Sequence, residues 1–425
     1  MKLNPRIPVL LLLCALVALE ALSATYFVGE ERLLYQKWSI PYFICGILIA
    51  LIPMFRLPRI RQPQQLEHPY LTQALRFFKW GFWAYLSWQL LSAGRQILLQ
   101  HPMDYMQADM MPIIQVMCQR FIEGKAIYEP IAEIWNNPPI YLPAMWAPYL
   151  PFEFIGADIR WGTIVAIIAA LWLIMAVWAR PKDHSLWMLL AFFPLWHLTK
   201  GLWEEQTFLI RFSEEGVVIF HYLFLGYAMY KKNPWLTGLG IALCVLSRYG
   251  LLFWVPFFLL FLWFFRSKRA AIITAGTALV LGVLCFLLPY GIEKFQLFTS
   301  LPNEYPDFAR RLWERDPNFF LTTLGLAKYF SAETVDLQHR LHLVSIFLAP
   351  LFMLLAFWQL KKRNIWEGSM WGICSLKLTL TFFYNLIIVP VLYLFWVPGF
   401  FSCLLLAVYI RESVKENTDK IGGLA

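Results

Sequence analysis

The sequence predicts an all-α polytopic membrane protein, a transmembrane helical bundle of about twelve spans (10–13). Three observations predict it. Sixty per cent of the 425 residues are hydrophobic and 15% are charged, against about a quarter charged in soluble domains. The apolar residues fall in separate runs of span-like length. Lys and Arg cluster between those runs, on one side when the spans are threaded in order.

The candidate spans lie at roughly 7–27, 39–55, 78–98, 161–179, 185–199, 216–230, 234–248, 250–265, 270–290, 341–360, 366–384 and 386–410. Several are short for a bilayer and are expected to be tilted, kinked or re-entrant. Lys2 and Arg6 precede the first run, and Ala21-Leu22-Ser23-Ala24 fits a signal-peptidase site. The length of the run equally fits a retained span, which is the reading adopted. No hydrophilic stretch is long enough to fold alone, so residues 1–425 read as a single membrane domain.

A cytoplasmic N-terminus places Arg56/Arg59/Arg61, Arg180/Lys182, Lys231/Lys232, Arg266/Lys268/Arg269 and Lys361/Lys362/Arg363 inside, with the Arg411/Lys415/Lys420 tail. Both termini are then cytoplasmic. The net charge of +9 belongs to loops facing anionic lipid and gives no reason to expect nucleic acid. The seven Cys are scattered without CxxC spacing, so no disulfide, metal cluster or cofactor is expected.

Two long loops fall outside. The first, 99–160, is expected to hold interfacial helices: Met110 to Glu123 has apolar residues at helical spacing, and Gly124 stands where a C-cap would. Prolines at 138, 139, 143, 148 and 151 then make a kinked connector rich in Trp and Tyr. The second loop is 291–340. No internal repeat is visible, which counts against many secondary transporters.

The first loop opens with Asp104-Tyr105-Met106-Gln107-Ala108-Asp109-Met110-Met111-Pro112. Asp109 is placed to cap the following helix, with Pro112 in its first turn; a cap and a catalytic carboxylate are compatible. In the second loop Arg310, Arg311 and Arg315 break the positive-inside pattern beside Asp307, Glu314 and Asp316. They are either an amphipathic helix laced with ion pairs or a grip on a lipid phosphate. Arg248 at the outer end of the seventh span and Lys377 within the eleventh either snorkel or serve substrate. Glu204 and Glu205, like His221, Glu214 and Glu215, border the short fifth and sixth spans, where a solvated turn is the plainer reading of the Glu204/Glu205 pair. A Gly-rich nucleotide loop, G-x-S-x-G and H-E-x-x-H are all missing. A catalyst of this kind must draw an activated substrate from the membrane.

Asp109-Met-Met-Pro, a helix, Gly124-Lys-Ala-Ile-Tyr128 and Asn-Asn-Pro-Pro-Ile-Tyr-Leu-Pro143 together resemble the GT-C glycosyltransferases of the glycosyltransferase family 87 type. These are polyprenol-phosphate-mannose-dependent mannosyltransferases and their bacterial relatives. Tyr230-Lys-Lys-Asn-Pro-Trp-Leu-Thr-Gly238 through Ser247-Arg248 to Pro256 is also similar to that family. The likeness covers roughly 100–290. The chain departs from the pattern in two extra runs before residue 55, and Glu204-Glu205-Gln206 matches only loosely. The resemblance implies a GT-C-like fold and an integral membrane enzyme of a bacterial inner membrane, with its active site extracytoplasmic. It implies a hexosyltransferase that moves a mannose-like hexose or pentose from a polyprenyl-phosphate donor to a lipid or glycan acceptor, inverting at C1.

Asp109 falls where the family's essential aspartate falls and is implied as the general base. Arg248, then Arg310 and Arg311, would hold the departing phosphate. Asp104, Glu204, Glu205, Lys377, Tyr128 and Tyr141 complete the expected substrate-binding set. The alternative is a transporter or lipid-linked-sugar flippase, which predicts paired charges near mid-membrane. A third reading is a polymerase or ligase of outer-leaflet glycans. Convergence of Asp109 and Arg248 on one hollow would favour the glycosyltransferase.

Overall fold

A computed structural model describes residues 6–26, 38–55, 69–132, 134, 139–178, 187–204, 207–365, 368 and 370–414. Among these residues the chain forms eighteen α-helices and no strand. In order they are α1 (Arg6–Tyr26), α2 (Ser39–Leu51), α3 (Pro69–Gln100), α4 (Met110–Ile122), α5 (Pro143–Trp146), α6 (Leu150–Phe154), α7 (Trp161–Trp178), α8 (Trp187–Glu204) and α9 (Phe208–Phe212). There follow α10 (Glu215–Lys231), α11 (Pro234–Val245), α12 (Trp254–Phe265), α13 (Lys268–Gly282), α14 (Leu288–Arg315), α15 (Pro317–Leu321), α16 (Val335–Lys361), α17 (Trp371–Leu386) and α18 (Trp396–Val414).

Each predicted apolar run carries a helix. Five helical stretches are long and apolar enough to cross a membrane: Ile7–Tyr26, Trp161–Trp178, Lys268–Ile292, Ala332–Lys361 and Leu392–Ser413. Shorter apolar stretches at Ser39–Met54, Pro234–Val245 and Tyr249–Phe265 pack among them. The bundle has a centre and a rim. Helix α18 is buried along nearly its whole length, between α1, α7, α8, α10 and α17. Helix α16 instead leaves Leu341, Val344, Phe352 and Leu355 exposed along one side, the surface lipid would cover. Small residues bring backbones together at the centre. A side chain at Gly240 would strike the Cα of Leu225 at 2.9 Å, so α10 and α11 meet there at backbone distance.

The two long segments between predicted spans are more ordered than a loop. In the first, α4 ends at Gly124, whose φ of +68° is the left-handed C-cap expected from the sequence. Gln115 and Gln119 donate to the Glu153 carboxylate at 3.2 and 3.0 Å, tying α4 to α6. Arg160 grips Asp158 and donates to His101 O at 2.8 Å, closing the base of the segment. The second segment, expected as a loop over 291–340, is largely helical. At Gly291 the chain takes φ 75° and ψ 173°, a conformation that essentially only glycine adopts, and α14 turns away from the line of α13. Its far half folds a small separate core of Ala309, Trp313, Phe320, Ala327, Val335 and Ile388, with the Trp313 and Phe320 rings stacked at 4.1 Å. Ile388 belongs to a non-helical break at 387–391 between α17 and α18, inside what the sequence predicts as a continuous span from 386.

Candidate functional site

Five chain segments bring charged and phenolic side chains to one place. The first is the start of α10. Ser213 is extended, and its hydroxyl accepts from Glu215 N at 2.9 Å. Its carbonyl accepts from the Thr163 hydroxyl at 2.9 Å, and Thr163 is held by Tyr149 at 2.9 Å. This relay fixes Glu214 and Glu215 at the head of the helix, 1% and 0% exposed.

The second segment is the end of α11. After Val245 the chain folds back, with Ser247 Oγ donating to Cys244 O at 2.8 Å. Arg248 becomes extended (φ −140°, ψ 134°) and turns its guanidinium toward α10. Arg248 Nη2 donates to Glu214 Oε1 at 2.9 Å and also to Glu215 Oε1. The segment between α4 and α5 is pinned here too, since Ala144 N donates to Leu246 O at 3.1 Å.

The third segment carries Asp109. It occupies the N-cap position of α4, yet its side chain makes no cap hydrogen bond. Among the described residues its carboxylate is in no ion pair. Burial holds its pKa above the ordinary aspartate value, opposed in part by its own backbone amide. Glu214 lies within electrostatic reach of both Arg248 and Asp109. Tyr141, just before α5, is within reach of Glu214 and Asp109; burial first, then those carboxylates, keep its phenol protonated well beyond the usual range.

The fourth and fifth contributions come from far along the chain. Tyr305 of α14 is within reach of Arg248, Glu214 and Asp109. Tyr393, just after the break between α17 and α18, interacts with the same three and with Glu215. Its hydroxyl donates to Met110 Sδ at 2.7 Å, beside Asp109.

Several polar atoms in this cluster have no partner among the described residues. They are Glu214 Oε2, Glu215 Oε2, Arg248 Nε and the hydroxyls of Tyr222 and Tyr384. A buried polar atom left unsatisfied costs about 1–3 kcal/mol. Five in one neighbourhood describe a place built for a polar guest, water or ligand. Two carboxylates hold the guanidinium, and a third, Asp109, lies within electrostatic reach of Glu214.

Arg248, expected to serve substrate, stands in the cluster with two carboxylates already on one of its nitrogens. The other expected residues stand elsewhere. Lys377, expected to bind substrate, is fully buried in the bundle. Its Nζ donates to Glu20 Oε1 at 2.6 Å and to Pro398 O at 3.1 Å, and Ser402 donates to the other Glu20 oxygen at 2.5 Å. Arg310 is spent on Asp307 at 2.6 Å and Asp336 at 3.0 Å, which ties α14 to α16. Arg311 is exposed on the same helix. Of the two readings of this segment, the Arg310 pairs are those of an ion-pair-laced helix. Glu204 pairs with Lys200 at 2.8 Å, one turn away and half-exposed; Glu205 lies outside the described residues.

Asp104 shapes the turn before Asp109, accepting from Met106 N at 2.9 Å and Gln107 Nε2 at 3.3 Å. Tyr128 is a brace: its hydroxyl donates to Tyr141 O at 3.2 Å and accepts from Trp146 Nε1 at 3.4 Å. Tyr305, Tyr384 and Tyr393 were not legible as site residues, since tyrosines in apolar or amphipathic runs carry no local signal. Glu214 and Glu215 had one: paired acids at the head of an apolar run are costly unless a cation meets them.

No protein-family model matches the chain, and no curated protein or solved structure matches it.

Proposed function

We propose that the protein is an integral membrane glycosyltransferase of GT-C type with about twelve spans, acting on a polyprenyl-phosphate sugar at the outer leaflet of a bacterial inner membrane. The single observation that carries this reading is the unspent Asp109 carboxylate beside the Arg248–Glu214–Glu215 cluster. A general base must be close to the reacting hydroxyl and free of other duties. An aspartate at a helix N-cap that does not cap, and is raised in pKa by burial, meets the second need.

In the proposed reaction an acceptor hydroxyl attacks C1 of the sugar. The new bond forms as the C1–O bond to phosphate breaks, and polyprenyl phosphate leaves with the electron pair. The hydroxyl proton passes to Asp109. One displacement without a covalent sugar–enzyme intermediate inverts C1. Arg248 offers the leaving phosphate the N–H groups that its glutamates do not occupy. Glu214 and Glu215 hold the guanidinium in place. The phenols of Tyr141, Tyr305 and Tyr393 stand in the same cluster as neutral donors for the leaving phosphate.

A transporter or lipid-linked-sugar flippase is the second reading. The Glu20–Lys377 pair deep in the bundle favours it, because paired intramembrane charges mark many substrate paths. That pair is closed, each charge being met by the other and by Ser402 or Pro398 O, which suits a packing role better. The test is proteoliposomes loaded with radiolabelled polyprenyl-phosphate mannose and a polyprenyl-linked glycan acceptor. Labelled glycan with inverted anomeric configuration, together with released polyprenyl phosphate, is the expected result. Labelled donor carried intact across the bilayer supports the second reading instead.

A further inference from the structure

Glu215 and Tyr222 lie seven residues apart on α10, and so on one face of the helix, two turns in depth. Tyr384 stands near the end of α17, which packs against α10 and against the Tyr249–Leu251 turn that follows Arg248. Tyr384 is within electrostatic reach of Glu215, Tyr222 and Arg248, and Tyr222 of Arg248 and Glu215. The three side chains therefore form one group beside Arg248. Each is fully buried, and each presents a polar atom without a partner among the described residues: Glu215 Oε2, Tyr222 OH and Tyr384 OH.

We propose that Glu215, Tyr222 and Tyr384 form a hydroxyl-recognition pocket that takes the ring of the transferred sugar. The proposal rests on the glycosyltransferase reading and adds to it the part of the substrate these residues select. A carboxylate oxygen only accepts, whereas a phenol both donates and accepts. Neighbouring sugar hydroxyls can satisfy such a set at once, each donating to one group and accepting from another. A hydrocarbon chain would leave all three atoms stranded. A second phosphate would bring negative charge against Glu215. With the sugar seated here, its C1 and phosphate lie toward Arg248 and Asp109.

The experiment uses the full chain in lipid nanodiscs and the variants Tyr222→Phe and Tyr384→Phe, which remove one oxygen each and keep the ring. Binding is read from tryptophan fluorescence with a panel of polyprenyl-phosphate sugars (mannose, glucose, galactose and arabinose) and with polyprenyl phosphate lacking sugar. The wild type should bind at least one sugar lipid at least about tenfold more tightly than the sugarless lipid. Each Phe variant should lose most of that preference while binding sugarless polyprenyl phosphate as the wild type does. The unfolding midpoint should not fall, because an unsatisfied hydroxyl has been removed.

Unchanged sugar preference in both variants overturns the pocket. So does a wild type that binds all the lipids alike. A lowered midpoint with unchanged binding marks the hydroxyls as holders of structural water and overturns it too. Transfer assays separate the two claims. A wild type that discriminates among sugars as described but transfers none removes the enzyme reading and leaves the pocket. Transfer that persists with undiminished preference in the Phe variants removes the pocket and leaves the enzyme.

Discussion

The Arg248 cluster and the Lys377 cluster set the same chemistry, a cation against carboxylates, in two parts of one bundle. Around Lys377 the account closes. Both Glu20 oxygens and the ammonium have partners within 3.1 Å, and neither residue is more than 1% exposed. Around Arg248 it stays open: one nitrogen serves two carboxylates, the second oxygen of each lacks a partner among the described residues, and the Arg248 side chain remains 21% exposed. Closed clusters specify packing; open ones wait for something. Burial alone does not separate them, and the sequence places both as isolated charges in apolar runs.

The largest effect that would sharpen this contrast is on transfer rate. Asp109→Asn should lower transfer by about 10²–10⁴-fold in a steady-state assay with saturating donor. Its fold should survive, because the side chain caps no helix. The next effect falls on stability and belongs to the closed cluster. Lys377→Met leaves Glu20 buried without its cation and should cost about 3–5 kcal/mol, read as a drop in unfolding midpoint in detergent. Combining it with Glu20→Met should restore most of the loss. A stable Lys377→Met protein with impaired transfer would break the comparison.

The pH dependence is intermediate in size. The raised pKa of Asp109 means that its base form is lost as pH falls through a value above the usual aspartate range. The acid limb of the rate profile should sit there and vanish in the residual activity of Asp109→Asn. Stability runs the other way. A carboxyl raised by burial favours the fold when protonated, so its contribution fades as pH rises through the same value. At neutral pH the Asn variant should therefore unfold no earlier than the wild type. Smallest of all, Tyr128→Phe removes the hydroxyl bonded to Tyr141 O and should cost about 1 kcal/mol, with a modest rise in donor KM as Tyr141 loosens.

Local features of the fold were legible where local physics decides them. The left-handed end of α4 at Gly124 and the helix at each apolar run follow from cap chemistry and hydropathy, whereas the side-chain cap expected of Asp109 is not made. The helical nature of 292–315 was hidden because the segment is amphipathic and interrupted by prolines. Its core needs Ile388 from the far end of the chain. The site divides the same way. Asp109 and Arg248 announce themselves as charges beside spans. That Glu214 and Glu215 meet Arg248, and that Tyr305 and Tyr393 join them, depends on how α10, α11, α14 and α18 pack, which no short stretch encodes. The pairing of Lys377 was hidden for the same reason: its partner Glu20 lies 357 residues away.

The central claim is that Asp109 takes the acceptor's proton in an open polar cluster. Single-turnover transfer from radiolabelled polyprenyl-phosphate sugar, measured across pH for wild type and Asp109→Asn, tests it most directly. The account predicts a wild-type rate that climbs with pH through one carboxyl ionisation, and an Asn variant slower by at least about a hundredfold with no such limb. An Asn variant that turns over at the wild-type rate, with the same pH profile, would contradict it.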